Sequence, residues 1–250
     1  MAFRNYEILL ANDLDSLLAN FCASKLRSKE LVYDSHEYFT EVPELIERPR
    51  VQAIWERIEA FILPKIKYSY TVSNKIAEVY YRKYGIQMSV IRNFPFSQIS
   101  ANPSKKKENI ILYQGALNIG RGLEELIESM LYVESARLLI AGAGDIENDL
   151  QVLVNRLNLE SKVSFLGRLS LLELYTVTQR AKLGVSLEKD LGLSYRYAVP
   201  NKIFDYIQSG VPVLFSPLVE VIDLLSSYLV GESLISHNPR SIADQINGML

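Results

Sequence analysis

The alternation of short β-rich runs with helical runs constrains the fold of this chain more than any other feature. In the second half, strands are predicted at residues 109–115, 137–142, 162–167, 181–186 and 211–215. Apolar residues at helical spacing predict helices at about 121–133, 145–157, 170–180, 200–209 and 218–228. Because such alternation produces parallel β-α-β units with helices on both faces, an α/β fold with parallel sheets is expected.

The first half shows the same alternation before a change in composition. Strands are predicted at residues 6–11, 30–34, 68–73 and 88–93, with helices at 13–26, 51–63 and 74–85. The following segment contains two prolines, three serines and the basic run Lys105–Lys107. We interpret this run as a solvated linker, with a patch for a membrane surface or nucleic acid as the alternative. The predicted organisation is therefore a domain at 1–93, a linker at 94–108 and a domain at 109–250.

Composition excludes several classes of protein. The 250 residues carry a net charge of -2, and no domain-wide basic excess indicates a nucleic-acid partner. No apolar run approaches the roughly 18 residues that span a bilayer, and the first residues do not resemble a signal peptide. The only cysteine, Cys22, is predicted to be a packed core thiol, and no disulfide framework is possible. A cytoplasmic protein is expected, with peripheral membrane contact left open.

A glycine-rich segment, QGALNIGRG, follows the first strand of the second half. Gly120 and Gly122 let a backbone approach a ligand closely, and Arg121 adds a fork-shaped cationic donor before a predicted helix. The segment is therefore a candidate phosphate site, or else a plain turn with a solvated arginine. A second segment, IAGAGD, contains Gly142 and Gly144, but Glu147 occupies the third glycine position of a dinucleotide fingerprint. It predicts a strand-to-helix turn near a ligand or a neighbouring helix.

A third segment places charged residues after the strand at 181–186. Glu188 follows that strand, and a carboxylate there suits the hydroxyls of a sugar or ribose. Asn201 is expected to cap the next helix, and Lys202 lies in its first turn, where a cation is unfavourable unless an anion binds nearby. Asp205 lies on the same helix. The alternative is a cap and a surface ion pair between Lys202 and Asp205 at i, i+3.

The first half offers two further candidates. His36 follows a strand and is either structural or a donor to a substrate hydroxyl or phosphate. Asp13 and Asp15 form a D-x-D pattern, which we interpret as a helix cap and not as a metal site. His237, the other histidine, lies in a polar stretch that is expected to be a loop. No metal site is predicted, and no nucleophile with an activating histidine is supported.

Taken together, these segments resemble the retaining GT-B glycosyltransferases of family four, the group 1 type. QGALNIGRGLEELIESM resembles the family's G-x-L-x-x-x-K-G segment, with Arg121 in the place of the lysine. RLLIAGAGD resembles its L-x-I-x-G-x-G segment. NKIFDYIQSGVPVLFS resembles its E-x-x-x-x-G-x-P-V segment, with Asp205 as the second acidic residue after Glu188. ANDLDSLLAN and YDSHEYFTEV resemble first-half segments of one branch.

The resemblance implies two Rossmann-like domains and transfer of a sugar from a nucleoside diphosphate to a glycan or lipid-linked acceptor, with retention of configuration and without metal. It assigns Arg121 and Lys202 to the leaving diphosphate, Glu188 to sugar hydroxyls, Asp205 to the ribose and His36 to the donor sugar. The nucleotide would occupy the second domain, and the sugar the cleft between domains.

The chain departs from the family pattern in three ways. Ala116 stands where the first basic residue of the usual pair is found, and the two acidic residues are farther apart than usual. Family members usually have further strands before ANDLDSLL and a C-terminal helix that crosses back to the first domain, so the first domain is expected to be incomplete and that helix is expected to be absent. A non-catalytic sugar-nucleotide-binding remnant and a GT-B epimerase are therefore the alternatives to a transferase.

Overall fold

A computed structural model describes residues 6–46, 48–95 and 107–250 of the chain. It divides into two compact units. Unit one comprises residues 1–93 together with two short later segments, 190–198 and 218–220. Unit two comprises residues 94–189, 199–217 and 221–250. Most of the predicted linker, including Lys105 and Lys106, lies outside the described residues.

Unit one is built around a parallel four-stranded sheet in the order β1-β2-β3-β4. Its strands are β1 (Ile8–Asn12), β2 (Glu30–Ser35), β3 (Tyr68–Thr71) and β4 (Ser89–Val90). Its helices are α1 (Asp13–Arg27), α2 (Pro43–Ile46), α3 (Pro49–Ile62), α4 (Asn74–Tyr84) and α8 (Leu193–Arg196). The predicted strand at 88–93 is limited to β4, because β4 is an edge strand that pairs with β3 at two positions only.

Unit two contains a parallel six-stranded sheet in the order β10-β9-β8-β5-β6-β7. Its strands are β5 (Glu108–Gln114), β6 (Arg137–Ala141), β7 (Val163–Gly167), β8 (Ala181–Ser186), β9 (Val213–Phe215) and β10 (Gly231–Ser233). Its helices are α5 (Leu123–Ser129), α6 (Glu147–Arg156), α7 (Leu171–Arg180), α9 (Asn201–Gln208), α10 (Val219–Leu225, which begins in unit one) and α11 (Pro239–Met249). The strand order reverses between β5 and β8, which creates the switch point where such sheets bind ligands.

Each unit has its own hydrophobic core. The core of unit two includes central strand residues such as Ile111 and Leu183, both fully buried, and α11 contributes Ile242 and Ile246. Sequence reasoning missed β10 and α11. The predicted loop around His237 in fact leads into α11, whose first turn is capped by the Asn238 side chain.

The expectation that Cys22 is a packed core thiol is wrong, because the structure places its side chain at the surface. Helix α1 buries the face that carries Leu14, Leu17 and Ala23. Cys22 lies on another face, near Leu18 and Leu26, which are 43% and 80% exposed. The apolar neighbours suggested a core thiol, but they belong to more than one side of the helix.

Within the described ranges, 6–46, 48–95 and 107–250, no helix is long and apolar enough to cross a membrane.

Candidate functional site

A buried carboxylate between two cations lies where β8 ends in unit two. Glu188 is 2% exposed, and one oxygen accepts a hydrogen bond of 2.8 Å from the Lys202 ammonium. The same oxygen lies 3.6 Å from a guanidinium nitrogen of Arg121. Its second oxygen accepts a 2.7 Å hydrogen bond from the Ser186 hydroxyl. The structure thus brings together Arg121 of the glycine-rich segment with Glu188 and Lys202 of the third segment.

The electrostatics of this cluster favour ionised Glu188. Burial alone would raise the pKa of the carboxyl group. The charges of Lys202 and Arg121, with the hydrogen bonds from Lys202 and Ser186, outweigh burial and hold its pKa below the ordinary value. The three charged side chains together carry a formal charge of +1, since two cations face one anion. Such a site suits an anionic ligand.

Helix α9 presents Lys202 to this carboxylate. The helix is anchored by Tyr206, which is fully buried and donates a 2.9 Å hydrogen bond to the Leu112 carbonyl. The Tyr206 ring occupies the space above Gly184, where a Cβ atom would collide with it. Lys202 lies one turn earlier and is therefore fixed at the carboxyl edge of the sheet.

The structure corrects one expectation about the start of α9, the Asn201 cap, and rules out the alternative pairing of Lys202 with Asp205. Pro200 is the N-cap residue and no side chain caps the helix, so Asn201 is the first helical residue and does not satisfy the orphan N–H group. Lys202 bonds to Glu188 and not to Asp205. Because Lys202 is 8% exposed, a buried carboxylate is a better partner than a half-buried one on its own helix.

The Lys202 ammonium also lies beside the glycine-rich loop. Its nitrogen is 4.1 Å from the centre of the Tyr113 ring. A Cβ atom at Gly115 would lie 3.3 Å from the terminal methylene carbon of Lys202. Lys202 therefore supplies a cation beside Gly115, the residue before Ala116, where the family pattern has a basic residue.

Asp205 belongs to a different polar group on the same helix. Its carboxylate accepts a 2.8 Å hydrogen bond from the Gln114 amide, and the Thr178 hydroxyl lies 3.0 Å from the Gln114 carbonyl oxygen. Burial raises the pKa of Asp205, and the bond from Gln114 offsets part of the rise. The group borders a cavity of about 320 Å³ between α7 and α9. Gln114 and Thr178 were not singled out from the sequence.

The four candidate glycines shape the loops around the cluster. Gly120 and Gly122 have positive φ angles of 83° and 69°. A Cβ atom at Gly122 would collide with the carbonyl of Leu187, the residue before Glu188. A Cβ atom at Gly142 would collide with the Gly115 carbonyl oxygen, and one at Gly144 would collide with the Leu117 carbonyl oxygen. These glycines therefore pack one loop against the next.

Gly122→Ala is expected to destabilise unit two by roughly 1–3 kcal/mol, because the new methyl group meets backbone and the residue keeps a left-handed conformation. Gly248→Ala is the matched control, since a Cβ atom at Gly248 in α11 meets nothing within 4 Å. Urea unfolding of both variants measures the difference. A Gly122→Ala protein as stable as Gly248→Ala would contradict the packing described here.

The helix that follows this loop begins later than predicted. α5 begins at Leu123, and Gly122 is its N-cap residue. Glu124 and Glu125 occupy its first turn and already complement the helix dipole. The charges that would attract an anion to this loop are therefore those of Arg121 and Lys202.

His237 was assigned no function from the sequence, but it supports the candidate site. Its Nε2 lies 3.1 Å from the Leu187 carbonyl oxygen and 3.3 Å from the Ser216 hydroxyl. Since a carbonyl can only accept, Nε2 must carry the proton for this bond to form. His237 thus holds the residue that precedes Glu188.

Unit one contains a second group of polar residues, at the carboxyl ends of β1 and β2. The His36 Nδ1 lies 3.3 Å from an oxygen of Asp34, which is 5% exposed. That oxygen also accepts a 2.8 Å hydrogen bond from the Tyr70 hydroxyl. Asp13 accepts a 2.9 Å bond from the His36 backbone N–H. Asp34 and Tyr70 were missed by sequence reasoning.

The capping interpretation of Asp13 and Asp15 needs correction. Both lie in the first turn of α1, while Asn12 is the N-cap residue and makes no side-chain cap bond. Asp13 has a positive φ of 57° and uses its carboxylate to hold the His36 backbone instead. Burial raises the pKa of Asp13, against the lowering effects of the His36 N–H and ring.

The hydrogen-bond geometry predicts opposite tautomers for the two imidazole rings whenever they are uncharged, with the proton on Nδ1 in His36 and on Nε2 in His237. The chain has only these two histidines, so long-range ¹H–¹⁵N spectra of histidine-labelled protein can resolve both. Asp34→Asn is expected to mix the tautomers of His36 and leave His237 unchanged. Asp15→Asn, at an exposed position, is the matched control. An Nε2–H tautomer at His36 in the unaltered protein would contradict this assignment.

Among the described residues there is no group of three or more histidine, cysteine or acidic side chains placed to hold a metal ion.

Comparison with known proteins identifies the family of this chain. Residues 96–250 match the family of glycosyl transferases group 1. The chain belongs to this glycosyltransferase family. It is also 28% identical over 148 residues to the uncharacterized glycosyltransferase MJ1607 of Methanocaldococcus jannaschii. That alignment covers 57% of this chain and 36% of the relative, so this chain spans about a third of the relative's length.

Solved glycosyltransferase structures share the fold. The Anabaena protein Alr3699/HepE in complex with UDP and glucose superposes with a TM-score of 0.75 at 17% identity, over 97% of this chain and 68% of that one. Sucrose-phosphate synthase of Thermosynechococcus elongatus gives a TM-score of 0.73 at 18% identity, over 98% and 64%. These matches and the two parallel sheets confirm the predicted α/β fold of the GT-B type.

Proposed function

We propose that the protein transfers a sugar from a nucleoside diphosphate to a glycan or lipid-linked acceptor, with retention of the anomeric configuration. The observation that carries the proposal is the buried Glu188 between Lys202 and Arg121, at the carboxyl edge of the sheet in unit two. Family membership supports transferase chemistry, and the Anabaena structure contains UDP and glucose. Retention follows from the resemblance to family four.

Each residue receives a role from its chemistry. Arg121 and Lys202 would stabilise the charge that develops on the departing diphosphate, as preorganised cations do in low-dielectric sites. Glu188, held ionised by both cations, would accept hydrogen bonds from sugar hydroxyls. Asp205 would hold the ribose, and its bond to Gln114 would orient it. The acceptor hydroxyl would attack the anomeric carbon from the face that the diphosphate leaves, and its proton would pass to the departing diphosphate oxygen, so no protein nucleophile is invoked.

The remaining candidate residues would shape or line the donor site without touching the bond that breaks. Gly120, Gly122, Gly142 and Gly144 would shape the donor loops, and Asn201 would add a polar side chain at the start of α9. His36 would accept a hydrogen bond from a sugar hydroxyl through Nε2, provided that Asp34 holds the proton on Nδ1. The two cations would perform the charge neutralisation for which other transferases use a divalent metal. We also propose a cytoplasmic location, since a single cysteine cannot form a disulfide within the chain. Peripheral contact with a membrane is a separate part of the proposal.

The test is donor turnover with stereochemical readout. Purified protein would be incubated with UDP-, GDP- and ADP-sugars and simple glycan acceptors, and the anomeric proton of the product followed by NMR. The proposal predicts a free nucleotide and a transferred sugar with the donor's configuration. An inverted product would overturn retention, and an isomerised sugar nucleotide without transfer would identify an epimerase. Binding without turnover would indicate a donor-binding module.

A further inference from the structure

A cluster of lysines lies at the amino-terminal edge of the sheet in unit one. Lys25 and Lys29 come from the end of α1 and the loop after it, and Lys65 and Lys67 come from the segment before β3. All four are exposed and line one open pocket of about 320 Å³ with Glu30. Four lysines and one glutamate give this pocket a formal charge of +3, in a chain whose net charge is -2.

Large apolar side chains are exposed beside these lysines. Leu26 is 80% exposed, and Phe61 is 58% exposed. The Phe61 ring contacts the Phe21 ring edge-on, with centres 6.3 Å apart, and the Lys65 ammonium lies 3.0 Å above the Phe61 ring. The surface therefore combines positive charge with apolar groups that are poorly accommodated in water.

This surface is separate from the candidate site of unit one. β2 begins at Glu30 in the lysine pocket and ends at Ser35, next to His36. A strand of this length spans roughly 17–20 Å, so the two sites lie at opposite ends of the sheet. Occupation of the lysine surface therefore leaves the polar group around His36 accessible.

We propose that this surface, formed by Lys25, Lys29, Lys65, Lys67, Leu26 and Phe61, docks unit one onto a bilayer that contains anionic phospholipid. Lysines near an anionic membrane are attracted to its surface potential, and adjacent leucine and phenylalanine side chains enter the interfacial region. A nucleic acid would use the charges, but it offers no apolar layer for Leu26. The proposal deepens the peripheral membrane contact of the proposed function by naming its surface and lipid, and it does not depend on the transferase activity.

The chain carries its own reporter position for this proposal. Cys22 is its only cysteine, is exposed, and lies on α1 one turn before Leu26. An environment-sensitive fluorophore such as NBD on Cys22 would report transfer from water into the membrane interface. The proposal predicts a blue shift and brighter emission with vesicles of phosphatidylglycerol and phosphatidylcholine, reduced by high salt. Pure phosphatidylcholine vesicles are expected to give little change.

Matched variants show whether vesicle binding depends on the lysines of this surface or on the total charge of the protein. Lys25→Gln with Lys29→Gln is expected to weaken vesicle binding about thirtyfold, or about fivefold per lysine. Lys75→Gln with Arg82→Gln removes two charges elsewhere in unit one and is expected to leave binding within about twofold. Leu26→Ser is expected to reduce the blue shift more than the charge-driven binding. Circular dichroism would confirm that each labelled variant is folded.

Three results would overturn the proposal. One is equal binding to neutral and anionic vesicles. Another is that Lys75→Gln with Arg82→Gln weakens vesicle binding as much as Lys25→Gln with Lys29→Gln. The third is an emission change with RNA or inorganic pyrophosphate that vesicles do not produce, which would identify a polyanion site instead. Loss of sugar transfer with intact vesicle binding would affect only the proposed function.

Discussion

Lys202→Met is expected to lower the free energy of unfolding by about 3 kcal/mol, the largest effect of any single substitution proposed for the cluster. Methionine keeps most of the side-chain volume and removes the charge that pairs with Glu188 at 2.8 Å. Because Glu188 is 2% exposed, its carboxylate would lose its nearest cation in a site where water cannot compensate. Arg121, 3.6 Å away, limits the loss. Urea unfolding at neutral pH measures it.

The pH dependence of stability tests the same ion pair in a second way. Glu188 has its pKa lowered in the folded protein, so its contribution is complete above the ordinary value of about 4.5 and is lost as pH falls below it. In Lys202→Met, burial is opposed only by the more distant Arg121 and the Ser186 hydroxyl. The unfolded carboxyl group is the same in both proteins, so the stability difference should shrink as the pH falls through the pKa of folded Glu188 in Lys202→Met, which is higher than in the unaltered protein.

A double substitution separates an unpaired charge from lost packing. Glu188→Gln combined with Lys202→Met removes both charges and is expected to recover part of the stability that Lys202→Met loses. A loss below about 1 kcal/mol for Lys202→Met, or no recovery in the double variant, would contradict the described ion pair.

Arg121→Ala is expected to reduce donor turnover by roughly 10²–10³-fold. The proposed role of its guanidinium is to stabilise charge on the departing diphosphate, and removal of one preorganised donor typically has this effect. The Arg121→Ala substitution should destabilise the protein less than Lys202→Met, because Arg121 lies farther from the Glu188 carboxylate than Lys202 does and is 25% exposed. Release of nucleoside diphosphate from the accepted donor measures turnover.

Arg137→Ala is the matched control for this experiment. Arg137 also pairs with a glutamate, Glu108, at 3.1 Å, but it lies at the amino end of β6. Turnover in Arg137→Ala should stay within about twofold of the unaltered protein. Equal losses in both variants would point to a general structural effect, and an active Arg121→Ala protein would remove Arg121 from the mechanism.

Much of the fold could be predicted from the sequence because parallel β-α-β units leave a strong periodic pattern. Buried strands such as Arg137–Ala141 are almost continuously apolar, and helices such as α6 bury apolar residues at helical spacing, here Leu150, Leu153 and Val154. β10 escaped detection because Gly231–Ser233 has three residues and no apolar pattern. Helix α11 was missed because the polar residues around Asn238 resemble a loop, although Asn238 and Pro239 are typical helix-start residues.

The candidate site was harder to predict, because its contacts join distant segments. The sequence indicated Arg121, Glu188 and Lys202 separately, but it offered Asp205 as an equally good local partner for Lys202. The packing of Tyr206 against β8 orients α9 so that Lys202 pairs with Glu188 and not with Asp205. For Asp34 a usable signal existed: Asp34 and His36 are two residues apart at a strand end, and such residues share a face. For His237, whose contact is a backbone carbonyl 50 residues away, no local signal exists.

The most direct test of the central claim is a thermal-shift screen of UDP, GDP, ADP and their sugar conjugates against the unaltered protein, Arg121→Ala and Arg137→Ala. A ligand that binds only the folded state stabilises it by about 2.7 kcal/mol at a hundredfold excess over its dissociation constant. We predict a rise in melting temperature with one nucleotide series, lost in Arg121→Ala and kept in Arg137→Ala. No rise with any nucleotide in a folded sample, or a rise that survives in Arg121→Ala, would contradict the proposed donor site.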